Sequence, residues 1–390
     1  MIQMEADDGL DWIALLNENT EIDLKNLNDL VQKKSFKPRE QALFFGKALK
    51  DKDPTIIHHF SQEDLLYPDL EAGIFMSRKL VMDLWRENQD DSSTSPFPRD
   101  FNIDPSYEFA KYVFNDGKGV ALENIPQICT QKASGCITYS RNKYSCLKKS
   151  DAEGIQKILS ETYVAVKTCT KFHEDRLQAV SKTWGPLVKN IEMISDTVDD
   201  NLNTIVLPYT VNTENGHCNK TLAILEHFSK MEDTMKYLVI VDDDTILSVS
   251  RLAQLLSCYS QDESFLLGQR YGYMAATGQG YNYITGGGGM VLSRSAVLRL
   301  LAPPTPCSCP AENTPDDMHL GRCAMRAEIP VLHSNRMFQA RPPDYAASIL
   351  TSRVPVSFHK HWEISPYKVY DEFFRKSDKV LLDLHKKDEL

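Results

Sequence analysis

The most regular pattern along the chain is an apolar run, Tyr237-Leu-Val-Ile-Val241, that leads directly into three carboxylates, Asp242, Asp243 and Asp244. Helical patterns flank this run on both sides, and a continuous apolar segment in that setting predicts a parallel strand covered on both faces. The carboxyl end of the strand is therefore its acidic end. Since ligands of open α/β sheets bind outside the carboxyl ends of the strands, the pattern predicts a binding site at the three carboxylates.

Strand and helix patterns alternate through the segment that precedes this run. The β-branched and aromatic stretch Thr162-Tyr-Val-Ala-Val166 predicts a strand, and the apolar spacing between Phe172 and Trp184 predicts a helix after it. Two further strand-like runs begin at Ile191 and Thr204. This alternation predicts an α/β fold in which a mostly parallel sheet carries helices on both faces.

An earlier part of the chain repeats this layout. Trp12-Ile-Ala-Leu-Leu-Asn-Glu-Asn-Thr20 places an aromatic residue, apolar residues, three polar residues and a threonine in the order of the acidic strand. Two later pairs of segments, centred on Gly46 and Gly268 and on Gly73 and Gly289, follow in the same order. A repeat of this length indicates a duplicated domain, because the units of a solenoid are far shorter. Chance resemblance between strand-plus-helix patterns is the alternative.

The first copy carries Asn17, Glu18 and Asn19 where the second carries three aspartates, so it offers a much poorer metal site. We predict four segments: a degenerate, non-catalytic copy over residues 1–147 that begins part of the way through the domain, a linker or leading helix over 148–163, a catalytic domain over 164–372 and a C-terminal tail over 373–390.

Composition narrows the functional class. The chain has 390 residues, a hydrophobic content of 42% and a formal net charge of −10. These values fit two globular cores and oppose nucleic-acid binding, for which a basic face is typical. Along the sequence, no apolar stretch reaches the length that a bilayer span requires.

The two ends of the sequence give conflicting indications about entry into the secretory pathway. Residues 1–8 lack the pattern of a secretory leader, whereas Lys387-Asp-Glu-Leu390 is the tail that the KDEL receptor reads for retention in the endoplasmic reticulum. Nine cysteines also fit an oxidising compartment. We therefore expect a location in the lumen of the endoplasmic reticulum and a start that lacks a leader and some N-terminal structure.

The cysteines cluster in two regions, Cys129, Cys136 and Cys146 in one and Cys307, Cys309 and Cys323 in the other. Disulfides are favoured over zinc, because Cys307-Ser-Cys309 is tighter than the usual metal knuckle and no second knuckle accompanies it. The odd count leaves at least one cysteine free or paired elsewhere. The connectivity stays open.

Three motifs indicate chemistry. Adjacent carboxylates repel one another, and a hard divalent cation is the simplest compensation at Asp242 and Asp244, with a solvated acidic turn as the alternative. The glycines of Gly286-Gly-Gly-Gly289 let the backbone approach a ligand closely, or form a flexible linker. Pro315-Asp-Asp317 opens a predicted helix, and its carboxylates either favour the helix dipole or include a catalytic base.

Together with Lys167-Thr-Cys-Thr-Lys-Phe-His173 and Phe358-His-Lys-His-Trp362, these motifs give residues 164–372 a resemblance to the Fringe-type β-1,3-glycosyltransferases. The chain is most similar to members that extend O-linked fucose on thrombospondin type 1 repeats with glucose. The resemblance implies a GT-A fold, inversion at the anomeric carbon, UDP-glucose as the donor, Mn²⁺ or another divalent cation as the cofactor, and O-fucosylated thrombospondin type 1 repeat proteins as acceptors.

The resemblance also implies roles for individual residues. Asp317 becomes the general base that takes the acceptor's proton, a contribution of roughly 10²–10⁴-fold, and Asp316 acts beside it through helix capping or acceptor contacts. The residues expected to contact the donor are Arg176, Lys182, Trp184, Asp242, Asp243, Gly287 and Gly288.

One departure concerns the third metal ligand. Family members usually carry a Phe-His pair after the last strand whose histidine completes the metal site, and the corresponding residues here are Met337-Phe-Gln339. His333 is the nearest substitute, although a lone histidine beside an apolar run is more often structural. The predicted metal ligands are therefore Asp242, Asp244 and His333.

Three alternatives stay open. The donor could be UDP-galactose or UDP-GlcNAc in place of UDP-glucose. A retained glycoprotein-binding factor without turnover is the second alternative, although the intact aspartate triplet counts against it. A metal-dependent phosphohydrolase is the third, because consecutive aspartates also suit two-metal sites.

Overall fold

The structure, a computed structural model, describes residues 9–89, 101–141, 146–148, 151–208, 210, 216–275 and 279–388. The N-terminal residues 1–8 and the last two residues of the retention tail lie outside this set. The chain forms two compact units, Met1–Lys143 with Ala346–Ser352, and Tyr144–Tyr345 with Arg353–Leu390. Among the helices of the described residues, none combines the length and the apolar content that crossing a bilayer requires.

The elements of the first unit, in chain order, are β1 (Trp12–Leu15), β2 (Thr20–Ile22), α1 (Leu24–Lys34), β3 (Phe44–Gly46), β4 (Ala48–Leu49), β5 (Tyr67–Pro68), β6 (Ile74–Ser77), α2 (Arg78–Gln89), β7 (Phe101–Asn102), α3 (Pro105–Phe114), β8 (Glu123–Asn124) and β9 (Thr138–Ser140). Strands β1, β6, β3 and β8 form a sheet in that order. Phe45, Phe75 and Ile125 form the centre of its core, against which the partly buried Trp12 packs. Helix α1 begins at a cap in which the Asp23 carboxylate accepts a hydrogen bond from the amide of Asn26.

The elements that follow are α4 (Ala152–Ser160), β10 (Thr162–Lys167), α5 (Arg176–Lys182), β11 (Ile191–Ile194), β12 (Thr204–Ile205), α6 (Cys218–Ser229), β13 (Tyr237–Asp242), β14 (Thr245–Leu247), α7 (Val249–Leu256), β15 (Leu266–Gly268), β16 (Arg270–Tyr273), β17 (Tyr281–Ile284), β18 (Met290–Ser293), α8 (Arg294–Leu301), α9 (Asp316–Arg326), β19 (Val331–His333), β20 (Met337–Phe338), α10 (Ala347–Ser352), β21 (Ser357–His359), α11 (Pro366–Phe373) and α12 (Arg375–Asp388). All belong to the second unit except α10, which belongs to the first.

The second unit is built on a seven-stranded sheet with the order β12-β11-β10-β13-β18-β15-β19. Only β18 runs against its neighbours, and the other pairings are parallel. Alternate residues of the central strands, such as Tyr163 and Leu238, pack with Phe228 of α6 in one core. The residues between them, such as Val164 and Val239, are also fully buried, so both faces of the sheet are covered. The predicted α/β class is confirmed.

The sheet of the first unit repeats the order and the directions of four strands of the larger sheet. In both, the aromatic residue that starts the first strand pairs with the serine that ends its antiparallel neighbour, Trp12 with Ser77 and Tyr237 with Ser293. The order β1-β6-β3-β8 thus matches β13-β18-β15-β19 strand for strand. A second, smaller pairing also recurs, because β2 pairs with β9 as β14 pairs with β21.

Two segments outside the predicted domain cores form packed helices. Residues 373–390, predicted as a tail, include α12, whose Asp378 is fully buried and accepts hydrogen bonds from the Ser248 and Ser250 hydroxyls at 2.6 and 2.7 Å. The segment 148–163, predicted as a linker or a leading helix, includes helix α4, where Ile155 is fully buried, which agrees with the second alternative. Both segments are rich in charged residues, so the few apolar residues that pack in the interior are hard to recognise in the sequence.

The described residues contain four disulfides: Cys129–Cys136, Cys146–Cys258, Cys218–Cys309 and Cys307–Cys323. Cys169 is free and buried. The prediction of disulfides is confirmed. Two of the four, Cys146–Cys258 and Cys218–Cys309, join a cysteine of one cluster to a cysteine that lies outside both clusters.

Candidate active site

The carboxylates gather at the end of β13. Asp242 is the last residue of this strand, and Asp243 and Asp244 form the turn that leads into β14. One ligand atom from each of Asp242, Asp244 and His359 lies within 4.8 Å of the other two. The Nε2 atom of His359 is 2.9 Å from an oxygen of Asp244 and 3.8 Å from an oxygen of Asp242. The cluster therefore offers two carboxylates and one imidazole.

Strand pairing places His359 at this point. Strand β21 runs antiparallel to β14, with His359 opposite Thr245, the residue that follows the carboxylates. The imidazole also needs a glycine beside it, because a Cβ atom added at Gly287 would come within 2.2 Å of the His359 ring. The Thr245 hydroxyl donates to the carbonyl of Gly287 at 2.8 Å and fixes the glycine loop against the acidic turn.

His333 does not join this cluster, which corrects the predicted set of metal ligands. It is exposed on β19, three strands away from β13 in the sheet and therefore roughly 14 Å across it, and its Nδ1 accepts from the amide of Arg270. The histidine that the structure brings to the carboxylates is His359. The Phe-His pair is thus Phe358-His359, one strand over from Met337 and Phe338.

Charge within the cluster is arranged to keep Asp244 ionised. Burial raises the pKa of Asp244, but the hydrogen bond and the charge of His359 and the charge of Arg176 outweigh burial and lower that pKa to about 2. For His359, burial lowers the pKa, and the Asp244 carboxylate reverses this and raises it above the ordinary value. The Arg176 guanidinium lies 3.1 Å from Asp244 and 3.9 Å from the ring centroid of Phe172.

Asp243 is not one of the three residues of this cluster. Its side chain is buried, accepts from the Thr168 hydroxyl at 2.7 Å and lies 3.4 Å from Arg176. Burial, reinforced by the charges of Asp244 and Asp242, raises the pKa of Asp243 to about 7 despite the hydrogen bond from Thr168. Asp243 therefore binds a proton more readily than Asp244 does.

Lys167, which the sequence analysis did not single out, joins the acidic turn to the start of α9. Its ammonium lies 3.1 Å from Asp242 and 2.6 Å from Asp316, and it is nearly inaccessible to solvent. Burial lowers the pKa of Lys167, but these two carboxylates raise it above its ordinary value. The parallel register of β10 and β13 explains the contact, because it sets Lys167 beside Asp242.

Asp316 and Asp317 have different environments although they are adjacent. Asp316 accepts from Lys167 and from the Thr221 hydroxyl, both at 2.6 Å, and these contacts outweigh burial and lower its pKa to about 2. Asp317 accepts only backbone hydrogen bonds among those found, from Met318 at 2.7 Å and Gly286 at 3.3 Å. Burial, followed by the charge of Asp316, raises the pKa of Asp317 to about 6. Such a carboxylate can exchange a proton near neutral pH.

The predicted donor contacts on α5 and just after it separate into two groups. Arg176 and Lys182 both line a cavity of about 940 Å³ that Asp244 also borders. Trp184 is fully buried, and its indole N–H donates to the carbonyl of Thr245 at 3.1 Å. Its placement corrects the prediction of donor contact, because the ring packs beneath the acidic turn and supports it.

A second cavity of about 650 Å³ lies on the other side of Arg176. The three aspartates line it together with Lys167, Lys171, His217 and Lys220. Lys220 is buried, and its ammonium donates to the carbonyl of Thr168 at 2.7 Å. Carboxylates and several cationic side chains in one cleft suit a ligand that carries both phosphate and a metal ion.

The glycine loop contributes backbone groups rather than side chains. The amide of Gly288 donates to the side-chain oxygen of Gln339 at 2.9 Å, and its carbonyl accepts from the Ser357 hydroxyl. Gly286 differs, since a Cβ atom built there meets nothing closer than the Lys167 ammonium at 3.8 Å. Of these residues, Gly286 therefore leaves the most space, between Lys167 and Asp317.

The residues present fit a hard divalent cation. Two carboxylates with one imidazole form a ligand set suited to Mn²⁺ and related ions. His361, beside the same cavity as Arg176, has both ring nitrogens buried without a hydrogen-bond partner among the described residues, and burial lowers its pKa to about 4. A buried imidazole of this kind is unfavourable unless a bound group completes its hydrogen bonds.

Two signals in the sequence could have identified the missed residues. The pair Phe358-His359 is itself visible in the motif that ends at Trp362. Lys167 stands at the end of its strand, as Asp242 does, and parallel neighbours bring such ends together. His361 is the second histidine of the motif that ends at Trp362. No local signal identifies Thr221, whose position depends on tertiary packing.

Comparison with known proteins agrees with this geometry. Residues 157–382 match the family model described as Fringe-like. The chain is 43% identical over 373 residues to a human protein named β-1,3-glucosyltransferase, and the aligned region covers 94% of this chain and 72% of that protein. A mouse protein of the same name is 42% identical over 365 residues, 92% of this chain and 71% of its own length. The Fringe glycosyltransferase of Drosophila melanogaster is 29% identical over 163 residues, 37% of this chain and 39% of its own.

Proposed function

This chain belongs to the Fringe-like family, and we propose that it is an inverting β-1,3-glucosyltransferase that transfers glucose from UDP-glucose to O-linked fucose on thrombospondin type 1 repeats. The observation that carries the proposal is a pair of acidic sites that Lys167 joins and that differ in their electrostatic environment. One holds Asp242 and Asp244 beside His359, and the other presents Asp317 with a pKa raised to about 6.

The metal site of this proposal consists of Asp242, Asp244 and His359, and Mn²⁺ is the ion we expect there. A divalent cation held at that place supplies the Lewis acid that makes a nucleoside diphosphate a better leaving group. The chain's own cations supplement this charge, since Lys167 and Lys220 line the same cleft. The glycine loop adds no side chain next to His359 and Lys167.

The acceptor's proton passes to Asp317 in this proposal. Inversion in one step requires a base on the face of the sugar opposite the leaving group, and only an ionised carboxylate can accept the proton. Asp316 is engaged by Lys167 and Thr221, which keep it anionic and hold it in place. It acts as a positioning residue, and its negative charge is one reason that Asp317 accepts a proton readily.

We also propose that the first unit is a degenerate copy of the second, placed before a catalytic GT-A domain, and that the whole protein resides in the lumen of the endoplasmic reticulum. The shared strand order and register support the first part. The retention tail and four disulfides support the second. The KDEL receptor is then a partner of the tail.

A donor screen tests the proposed reaction. The protein is incubated with Mn²⁺, an O-fucosylated thrombospondin type 1 repeat and one of UDP-glucose, UDP-galactose or UDP-GlcNAc, and the product is analysed by mass spectrometry and linkage analysis. We expect transfer from UDP-glucose alone, in β-1,3 linkage to fucose. The unfucosylated repeat is the control. Preference for another donor would contradict the proposed substrate, and release of free sugar or phosphate without transfer would favour a hydrolase.

A further inference from the structure

The Cys307–Cys323 disulfide lies in the wall of a cavity that is separate from both cavities of the candidate active site. This cavity has a volume of about 230 Å³, and both cysteines line it together with Arg299 and Arg326. Cys323 belongs to α9, and Cys307 lies in the loop before that helix. The two cysteines are buried with respect to bulk solvent, so the cavity is their route of contact with a small molecule.

The two polar contacts of Cys323 would stabilise a thiolate at its sulfur. Arg326, one turn further along α9, donates from Nη2 to the Cys323 sulfur at 3.1 Å. His319, one turn earlier, has its Nε2 atom 3.5 Å from the same sulfur and 2.7 Å from the carbonyl of Ser308. Since a carbonyl can only accept, this Nε2 carries the hydrogen. A neighbouring guanidinium and N–H group favour the thiolate over the thiol.

Other half-cystines have the opposite surroundings. The sulfurs of Cys129, Cys136 and Cys258 approach backbone carbonyl oxygens at 3.4 to 3.8 Å. A carbonyl oxygen carries partial negative charge and opposes a thiolate beside it. Among the half-cystines in the described part of the chain, Cys323 is the one for which a contact with an arginine is found. Cys323 is therefore a better leaving group than Cys129, Cys136 or Cys258, and a lower pKa of the leaving thiol speeds exchange.

We propose that Cys307–Cys323 is a thiol-exchange site that reacts with an anionic low-molecular-weight thiol of the glutathione type. The incoming thiolate attacks the sulfur of Cys307 and forms a new S–S bond, and the bond between Cys307 and Cys323 breaks. The electron pair of the broken bond leaves with Cys323 as a thiolate, so one negative charge enters and one remains. A second thiolate then releases Cys307 as a thiolate and removes the small molecule as its disulfide.

The charge of the cavity selects the class of thiol. Two guanidinium groups, those of Arg299 and Arg326, border a small volume, and Arg299 is held there by a hydrogen bond to the carbonyl of Ala327. Carboxylate groups on a thiol such as glutathione are attracted to this rim, and a cationic thiol is repelled. The inference does not depend on the proposed transferase function, because none of these residues belongs to the candidate active site.

The test follows each disulfide separately in the folded, full-length protein. The protein is incubated with glutathione or with the cationic thiol cysteamine at equal thiolate concentration, quenched by alkylation and analysed by peptide mass spectrometry. We expect Cys307–Cys323 to open before the other three disulfides, with the first glutathione adduct on Cys307. Glutathione should open it at least about threefold faster than cysteamine, and added salt should reduce that difference.

Variants of α9 test the role of the guanidinium. Arg326→Gln should slow the opening of Cys307–Cys323 at least about threefold, because the leaving thiolate loses its cation. Arg326→Lys keeps a positive charge and should remain near the wild-type rate. Arg322→Gln makes the same change of charge at another exposed position of the helix and serves as the matched control. Earlier opening of a different disulfide, equal rates with both thiols, or equal rates for Arg326→Gln and Arg322→Gln would overturn the proposal.

Discussion

The two units share a strand arrangement but carry different residues where the strands meet. In both, a threonine hydroxyl fixes the loop opposite it, since Thr20 donates to the carbonyl of Glu71 at 3.0 Å and Thr245 to that of Gly287 at 2.8 Å. Opposite the threonine on the paired strand, the first unit has Ser140 and the second has His359. The backbone framework is thus the same in both units, and the side chains around it differ.

These differences are coupled. In the second unit, a glycine provides the space that the imidazole of His359 occupies. In the first unit, the imidazole is replaced by the small side chain of Ser140, and the glycine by Glu71, whose side chain is buried. The carboxylates before the threonine change as well, because Asn17 and Asn19 correspond to Asp242 and Asp244. All three expected metal ligands are therefore absent from the corresponding positions of the first unit.

The acidic groups at the start of the packed helix also differ. Asp317 of the second unit accepts only backbone hydrogen bonds among those found. Asp104, which caps α3 in the first unit, contacts Nε2 of His58 at 3.0 Å, while Asp51 contacts Nδ1 of the same ring at 2.5 Å. The first unit uses its carboxylates to hold a buried imidazole. The same framework thus holds paired acids in the first unit, whereas in the second unit it leaves Asp317 available for the proposed proton transfer.

The largest expected effect is that of Asp244→Ala on transfer. The carboxylate is shared by His359, Arg176 and the expected metal ion, and its loss should reduce transfer to background. Asn19→Ala, the change at the corresponding position of the first unit, is the control and should leave transfer unchanged. Initial rates with Mn²⁺, measured alongside thermal unfolding, decide the outcome. Near-normal turnover of Asp244→Ala, or full activity of the wild type in chelator, would refute the assignment of the metal site.

Asp317→Asn should lower the transfer rate by roughly 10²–10⁴-fold at saturating donor, because the amide cannot accept a proton. Binding of UDP, measured by calorimetry, should change little. Since the base must be ionised and its pKa is raised to about 6, the wild-type rate should fall as the pH drops through about 6 and level off above it. Asp316→Asn is the comparison, with a smaller effect on rate and a larger one on stability. A reversed order of the two variants would move the base to Asp316.

His58→Gln tests the paired acids of the first unit. Burial lowers the pKa of His58, but Asp104 and Asp51 reverse this and raise it to about 9. Because the folded pKa lies above the ordinary value of 6.5, the imidazolium stabilises the fold fully below about pH 6.5, and this stability is lost as the pH rises through 9. The variant should lose on the order of 3 kcal/mol at pH 6 and much less near pH 10. Denaturant unfolding measures the difference, with exposed His59→Gln as the control.

The smallest expected effect is that of replacing Asn17, Glu18 and Asn19 together by alanine. The first unit lacks the carboxylates that a metal ion needs, so the rate on a small fucoside acceptor should stay within about twofold of the wild type. A large loss on that acceptor, with unfolding unchanged, would assign the first unit a part in the chemistry. A loss confined to folded repeat proteins would point to acceptor docking.

The sequence predicts the features of this fold that depend on local pattern. The apolar run into Asp242 identifies the central strand, and the alternation of strand and helix identifies the α/β class, because both signals repeat within a few residues. Local pattern does not predict the position of His359, the proposed metal ligand, since that position depends on the pairing of β14 with β21, which lie more than a hundred residues apart. Spacing along the chain favoured His333, which lies on the edge strand β19.

Burial explains the other two discrepancies. Trp184 follows the helix that carries Arg176, and the resemblance to the Fringe-type family implies a donor contact for both residues. The ring faces the interior beneath Thr245, which a helical pattern alone does not distinguish from facing a ligand. Helix α12 was predicted as a tail because charged residues dominate it, although Asp378 and Leu381 anchor it in the interior.

Calorimetric titration of Mn²⁺ in the presence of UDP tests the central claim most directly, because it counts the sites that the two units provide. The account predicts one site per chain in the wild type and one site in the Asn17, Glu18 and Asn19 triple alanine variant. It predicts none in Asp244→Ala and a greatly weakened one in His359→Ala, with His333→Ala unchanged. Two sites in the wild type, loss of binding in the triple variant, or full binding without His359 and Asp244 would contradict it.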